Sequence, residues 1–159
     1  VGADNAALAS AMSALESGAD MVLVLEKAPK ELRGGNTHWS DGILRFAFDE
    51  PHDIEPLLPG VEDSYTRFFD GVQPYTEDDF MADLMRVTRG RSDPELSKVL
   101  VGNSRESVFW AHERGAIPME PARSIAGVEV DGVVIWLKGA LVRFAHEGVG
   151  LSASLRSSR

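Results

Sequence analysis

The feature that most constrains this chain is a glycine turn that leads into a helix of small residues and then into an apolar run. Gly2 is followed by Ala, Asp, Asn and two further Ala residues, and apolar positions recur at helical spacing from Asn5 to Gly18. Residues 21–25 are all apolar, which is typical of a buried strand in a parallel sheet. The order predicts an α/β fold that opens with a βαβ unit whose first strand is largely missing.

The turn occupies the position of a dinucleotide-binding fingerprint, written G-x-G-x-x-G or A. Gly2 allows the tight turn, and the small Ala7 lets the helix pack closely on the sheet. The middle position holds Asp4, whose carboxylate adds bulk and negative charge where a diphosphate would approach the helix N terminus. The pattern predicts a Rossmann-like dinucleotide site whose first contacts are Gly2, Asp4, Asn5 and Ala6.

An acidic residue follows the apolar run at the spacing that such a site requires. Glu26 lies about 20 residues beyond the turn, where a carboxylate accepts hydrogen bonds from an adenosine ribose. Taken alone, an acid after a strand is usually a solvated loop residue. Because turn, helix and spacing agree, we predict that Glu26 and its neighbour Lys27 contact the cofactor.

A second glycine-rich segment, residues 33–42, supplies short polar side chains. Its Gly-Gly pair offers unhindered backbone, and the hydroxyl and amide groups that follow can satisfy phosphate or flavin ring atoms. By itself such a segment is a polar turn, but beside a βαβ unit it predicts a second contact with an extended cofactor. The predicted contacts are Gly35, Asn36, Thr37, Ser40, Asp41 and Gly42.

Together these segments resemble the flavoproteins related to fumarate reductase and succinate dehydrogenase, and within them the FAD-dependent tricarballylate dehydrogenases. The resemblance rests on VGADNAALA (residues 1–9), VLEKAP (24–29), RGGN (33–36) and LRFA (44–47). It continues through YTEDDF (75–80), DLMRVT (83–88) and DPEL (93–96). It implies FAD as the cofactor and hydride transfer between flavin and a small polycarboxylate such as tricarballylate.

The resemblance also implies roles for individual residues. Ala6 and nearby backbone would meet the diphosphate, Glu26 would bind the ribose, and Asn36, Thr37 and Gly42 would lie along the flavin. Position 41 is Gly in that pattern and Asp here. The catalytic Arg and His of the family lie in later segments of longer chains, so we predict no catalytic residue here. Both ends resemble truncations, and we expect a missing C-terminal half.

Local signals divide the rest of the chain. Residues 49–60 are predicted to be an exposed connection with at most a short helical turn. Thr76 is predicted to open a helix with a capping box, and Asp93 and Pro94 to start a helix that runs to Arg114. Asp131 with Gly132 predicts a β-hairpin. The predicted segments are 1–48 (βαβ unit and flavin loop), 49–125 (mainly helical) and 126–159 (hairpin and a truncated continuation).

Composition excludes several classes of function. A formal net charge of −9 disfavours nucleic acid, and the absence of cysteine excludes disulfides and thiolate metal sites and favours a cytoplasmic setting. No apolar run is long enough to predict membrane insertion, and the four histidines lack the spacing of a metal site. Two alternatives remain: an inactive remnant that binds no flavin and, with less support, a nicotinamide-binding module.

Three further side-chain groups are better explained by structure than by chemistry. Arg45 follows the flavin loop, but we expect it to form a solvated ion pair. Asp78 and Asp79 fit a helix start. The aromatic residues Phe68, Phe69, Trp110 and Trp136 are predicted to pack in the core or between domains.

Overall fold

A computed structural model describes residues 2–114 and 118–145 of the chain. The helices are α1 (Asn5–Glu16), α2 (Gly35–His38), α3 (Val61–Ser64), α4 (Glu77–Thr88), α5 (Pro94–Gly102), α6 (Ser104–Arg114) and α7 (Arg123–Ala126). Short 3₁₀ helices span Lys30–Leu32, Pro51–Leu57 and Phe68–Gly71. The strands are β1 (Ile43–Leu44), β2 (Met119–Pro121), β3 (Gly127–Val130), β4 (Val133–Trp136) and β5 (Val142–Phe144). In these two ranges, no helix combines the length and the apolar character needed to cross a membrane.

The larger of the two sheets is antiparallel. Strand β5 lies between β1 and β2, with Leu44 opposite Val142 and Met119 opposite Phe144. The mixture of helix and sheet agrees with the predicted α/β class. Parallel pairing is not found in the described ranges, so the Rossmann-like βαβ arrangement stays a prediction.

The apolar run after α1 differs from its predicted state. Residues 21–25 belong to no helix or strand, and Met21 and Leu23 are 85% and 78% exposed. The Gly2 N–H donates to the Leu25 carbonyl oxygen at 2.7 Å, which is a single backbone contact and not a ladder. The prediction of a buried strand is therefore wrong for this structure, because an apolar run is buried only where neighbouring strands and helices cover it.

The core is built around aromatic side chains that the sequence places far apart. Phe68 and Trp136 are 1% and 2% exposed, and their ring centroids lie 5.1 Å apart. Phe69 packs edge-on against Phe68. The predicted burial of Phe68, Phe69 and Trp136 is confirmed, whereas Trp110 lies half-buried on α6.

The predicted hairpin is confirmed and helps to cover this core. Strands β3 and β4 pair in antiparallel register, with Gly127 opposite Trp136. Asp131 and Gly132 connect them with positive φ angles of 49° and 78°. Positive φ at both central residues is the requirement of a type I′ turn, which the Asp-Gly pair satisfies at low cost.

Residues 49–60 are more ordered than the sequence suggests. The 3₁₀ helix Pro51–Leu57 buries Ile54 and Leu57 completely, and Leu58 is also buried. Asp53 accepts hydrogen bonds from the backbone N–H groups of residues 49 and 50, so this acid closes the helix start. The prediction of full exposure is wrong at these three apolar residues, which the core covers, and the helical part is longer than a single turn.

The helix starts that the sequence predicts are found at the same residues. Thr76 Oγ1 accepts from the Asp79 N–H at 3.2 Å, and Asp79 Oδ2 accepts from the Thr76 N–H at 3.1 Å, which completes the capping box of α4. Asp93 caps α5 through the Leu96 N–H at 2.9 Å. These contacts confirm the predicted roles of Asp79 and Asp93.

The single helix predicted from Pro94 to Arg114 is wrong, because the chain forms two helices. Asn103 separates them, and its side-chain Nδ2 donates to the Val99 carbonyl oxygen at 2.8 Å. A side-chain amide that bonds a nearby carbonyl group competes with helix continuation. Of the predicted segment 126–159, residues 146–159, which would hold the truncated continuation, lie outside the described residues.

Replacing Gly71 with Ala should destabilise the fold. A Cβ at this position would overlap the backbone carbonyl oxygen of Val134, which a rotamer change cannot relieve. We expect Gly71→Ala to lower the free energy of unfolding by about 1 to 3 kcal/mol, measured by denaturant unfolding. Gly102→Ala is the matched control, because a Cβ there meets no atom within 4 Å. Equal effects of the two substitutions would contradict the packing of Gly71 against β4.

Candidate cofactor site

The site begins at the turn before α1. Gly2 has a φ of 103°, a left-handed conformation that glycine adopts without strain. The first intrahelical bond runs from the Leu8 N–H to the Asp4 carbonyl oxygen at 3.0 Å. The amide groups of residues 5–7 therefore precede the intrahelical ladder and need other acceptors.

Glu26 connects this turn to the loop that follows residues 21–25. Its Oε2 accepts from the Ala3 N–H at 2.8 Å, and its Oε1 accepts from the Ala28 N–H at 2.7 Å. These backbone bonds, chiefly the one from Ala28 and then the one from Ala3, lower the pKa of Glu26 below its ordinary value of 4.5. An ionised carboxylate thus holds the two segments together at neutral pH.

The glycine-rich loop meets the same turn from the other side. Gly34 and Gly35 have φ angles of 104° and 54°, and Gly35 begins the short helix α2. Thr37 Oγ1 accepts from the Asn5 N–H at 3.3 Å. A Cβ placed on Gly35 would lie 3.8 Å from the Cβ of Asp4. The structure therefore brings together three segments that the sequence predicts to share a site.

The remaining predicted residues lie around this centre with different exposures. Ser40 Oγ donates to the Thr37 carbonyl oxygen at 2.9 Å and accepts from the Gly42 N–H at 3.3 Å, which shapes the end of the loop. Gly42 is buried and its carbonyl oxygen accepts from the Phe144 N–H of β5. Exposed residues of the predicted set are Ala6, Lys27, Gly35, Asn36, Ser40 and Asp41.

An open cavity of about 500 Å³ lies beside the turn. One wall is formed by α1, which contributes the small side chains of Ala6, Ala7 and Ser10. The other wall is formed by residues 22–25. Gly2 and Asp4 line the end of the cavity at the helix N terminus. Small side chains on one wall and apolar side chains on the other leave room for a flat or extended ligand.

The residues fit a dinucleotide unevenly. Glu26 lies at the predicted spacing and contacts the glycine turn, and the loop after Gly34 reaches the same turn, as a ribose contact and a second cofactor contact require. The helix N terminus does not fit a diphosphate as it stands, because the Asp4 carboxylate accepts from the Ala7 N–H at 3.1 Å. Two carboxylates, Glu26 and Asp4, therefore lie beside the same turn.

Two buried polar atoms beside this site have no partner, and the sequence does not predict them. Among the residues that the structure describes, Asn5 Oδ1 and His38 Nδ1 are buried without a hydrogen-bond partner. Asn5 was predicted as a contact for its backbone position in the fingerprint, and nothing in the sequence distinguished its side chain. His38 gave no signal beyond its place in the loop.

Arg45 forms the ion pair that the sequence analysis expected. Its Nη1 donates to Asp83 Oδ2 at 2.8 Å and to the hydroxyl oxygen of Tyr75 at 3.0 Å. Tyr75 also donates to Asp83, and burial raises the pKa of the Tyr75 hydroxyl. A hydrogen bond from Arg86, followed by that from Tyr75, lowers the pKa of Asp83. This network joins the segment after β1 to α4.

Within the described ranges, no group of three acidic or histidine residues is placed to hold a metal ion.

Acid should weaken the junction at Glu26. Because its folded-state pKa is lowered, the charged form stabilises the turn above the ordinary pKa, and that contribution is lost as pH falls through the lowered value. We expect the backbone amide NMR shifts of Ala3 and Ala28 to titrate together with a pKa below 4.5. Glu26→Gln should abolish this titration. A shared midpoint at or above the ordinary value would contradict the two hydrogen bonds.

Comparison with known proteins agrees with this geometry. Residues 1–132 match the family described as FAD binding domain, a span that includes the turn, Glu26 and the glycine-rich loop. No curated protein matches the chain. The family match covers most of the sequence and identifies FAD as the cofactor. The chain therefore belongs to the FAD binding domain family.

Proposed function

We propose that this chain is the FAD-binding part of an oxidoreductase that transfers hydride between flavin and a small polycarboxylate such as tricarballylate. The observation that best supports the cofactor part of this proposal is the hydrogen bond from the Ala3 N–H to the Glu26 carboxylate. It connects the glycine turn to the residue that follows the apolar run. Family membership supports FAD and an FAD-dependent oxidoreductase. The polycarboxylate is supported by the sequence resemblance to tricarballylate dehydrogenases.

In this proposal Glu26 binds the ribose of the adenosine. Its carboxylate oxygens accept the N–H groups of Ala3 and Ala28, and because a carboxylate has about four acceptor sites, capacity remains for a ribose hydroxyl. The lowered pKa keeps the group ionised, and charge-assisted hydrogen bonds are stronger than neutral ones. The exposed Lys27 beside it adds a positive charge at the same end of the site.

The loop from Gly35 to Gly42 forms the flavin side. Asn36 is exposed, and Ser40 and Thr37 fix the backbone that follows it. Bound flavin supplies the hydride chemistry, while the protein supplies binding and orientation. We assign no catalytic residue to this chain, and Arg45 is occupied by Asp83 and Tyr75. A cytoplasmic setting, proposed from the lack of cysteine, suits this chemistry.

A second candidate function is favoured by one observation. The Asp4 carboxylate accepts the hydrogen bond from the Ala7 N–H, which a diphosphate would otherwise receive. An inactive remnant that binds no flavin would tolerate such a residue. The two candidates differ in whether the purified chain retains FAD.

Removing the Glu26 carboxylate should weaken FAD binding. We expect the wild-type chain to retain a visible flavin band after removal of free FAD, and Glu26→Ala to lower the affinity about 10- to 100-fold, since a hydrogen bond to a charged group contributes about 1.5 to 3 kcal/mol. Titration followed by flavin fluorescence measures both. Glu95→Ala is the control, because Glu95 pairs with Lys98 on the exposed surface of α5. A wild-type chain that stays colourless would reject the FAD-binding proposal and favour the remnant.

The substrate is tested separately by its effect on the visible spectrum of bound flavin. We expect tricarballylate to shift the flavin band without bleaching it, and acetate, with a single carboxylate, to leave the band unchanged. Oxidation would transfer a hydride from one substrate carbon to flavin and a proton from the neighbouring carbon to a base, and we assign no such base to this chain. A flavin band that no polycarboxylate shifts would contradict the substrate proposal and leave FAD binding intact.

A further inference from the structure

The backbone amides around the α1 N terminus are already occupied by oxygens of the chain itself. In a dinucleotide site these groups point at the diphosphate. Here four of them have protein acceptors. The pairs are Gly2 N–H to Leu25 O (2.7 Å), Ala3 N–H to Glu26 Oε2 (2.8 Å), Asn5 N–H to Thr37 Oγ1 (3.3 Å) and Ala7 N–H to Asp4 Oδ1 (3.1 Å).

Asp4 differs from the other three acceptors because it brings a negative charge to the helix end. Its backbone has φ −86° and ψ −176°, the extended conformation of an N-cap residue, and its side chain turns back to the first turn of α1. A carboxylate at this place is stabilised by the cap hydrogen bond and by the partial positive charge of the helix N terminus. These are the same two interactions that attract a phosphate group.

The glycine-rich loop leaves Asp4 little space to coexist with a phosphate. Gly35 faces Asp4, at a distance where an added Cβ would touch the Asp4 Cβ. Thr37 from the same loop takes the Asn5 N–H. A diphosphate that enters between α1 and the loop therefore finds two backbone donors already bonded. The Ala7 N–H donates to the Asp4 carboxylate, and the Asn5 N–H donates to the Thr37 hydroxyl oxygen.

We infer that the Asp4 carboxylate is an internal competitor of the FAD diphosphate and determines how strongly this site accepts phosphate-bearing ligands. The inference rests on the proposed FAD site. To bind, the diphosphate must displace the carboxylate from the Ala7 N–H, and the displaced charge then repels it. Adenosine, which has the ribose that Glu26 would bind but no phosphate, does not meet this competition.

Asp4→Ser separates charge from capping. Serine caps helices about as well as aspartate, so α1 keeps its start while the negative charge is lost. We expect the Kd for FAD to fall about tenfold or more, and the Kd for adenosine to stay unchanged. Because screening weakens repulsion between charges, the ratio of the two FAD affinities should shrink as salt is raised. Isothermal titration calorimetry measures both ligands.

Asp93→Ser is the matched control. Asp93 caps α5 through the Leu96 N–H as Asp4 caps α1, and its replacement changes the net charge by the same amount. The control should leave the FAD affinity unchanged. Thermal unfolding checks the cap, and Asp4→Asn, which also keeps a capping oxygen, serves as a second variant if Asp4→Ser melts lower.

The outcomes separate this inference from the proposed function. Wild-type FAD binding that neither Asp4 variant strengthens would overturn the competition and leave the FAD site standing. Equal strengthening by Asp93→Ser would also overturn it, because net charge would then be the cause. If no variant binds FAD while adenosine binding persists, both the competition and the FAD site are wrong.

Discussion

Strand β5 is the constraint on which the rest of this structure depends, because it pairs on both edges. It holds β1 on one side and β2 on the other, and the Phe144 N–H extends the pairing to the carbonyl oxygen of Gly42. The glycine-rich loop ends at Gly42, so its last residue is fixed to the sheet. The middle of the loop is fixed to α1 through Thr37. The glycine-rich loop is thus anchored at its middle and at its last residue, to elements that are distant in sequence.

The site shows how one residue type can serve opposite purposes. Glu26 and Asp4 are both carboxylates that accept backbone N–H groups near the same turn. Glu26 joins two segments and keeps acceptor capacity for a ligand, whereas Asp4 occupies a donor that an anionic ligand needs. Family membership establishes FAD as the cofactor, and we propose opposite roles for these two acids toward it.

Features decided by neighbouring residues could be predicted from the sequence. The caps at Thr76 and Asp93 and the turn at Asp131 depend on local hydrogen bonds or local φ angles, so their residues identify them. The grouping of the turn, Glu26 and the glycine-rich loop followed from spacing. Features decided by distant partners could not be predicted. The break at Asn103 lets Ser104 accept the Ala47 N–H from far along the chain, and the Thr37 hydroxyl reaches Asn5 across 32 residues.

The apolar run after α1 has a consequence for the behaviour of the chain in solution. Met21, Leu23 and Leu25 are exposed on backbone that belongs to no sheet, although the Leu25 carbonyl oxygen accepts the Gly2 N–H, and an exposed apolar segment outside a sheet is a template for edge-to-edge association. The net charge of −9 opposes that association through repulsion between copies. We expect colloidal stability to depend on ionic strength, since salt screens the repulsion and leaves the apolar attraction in place.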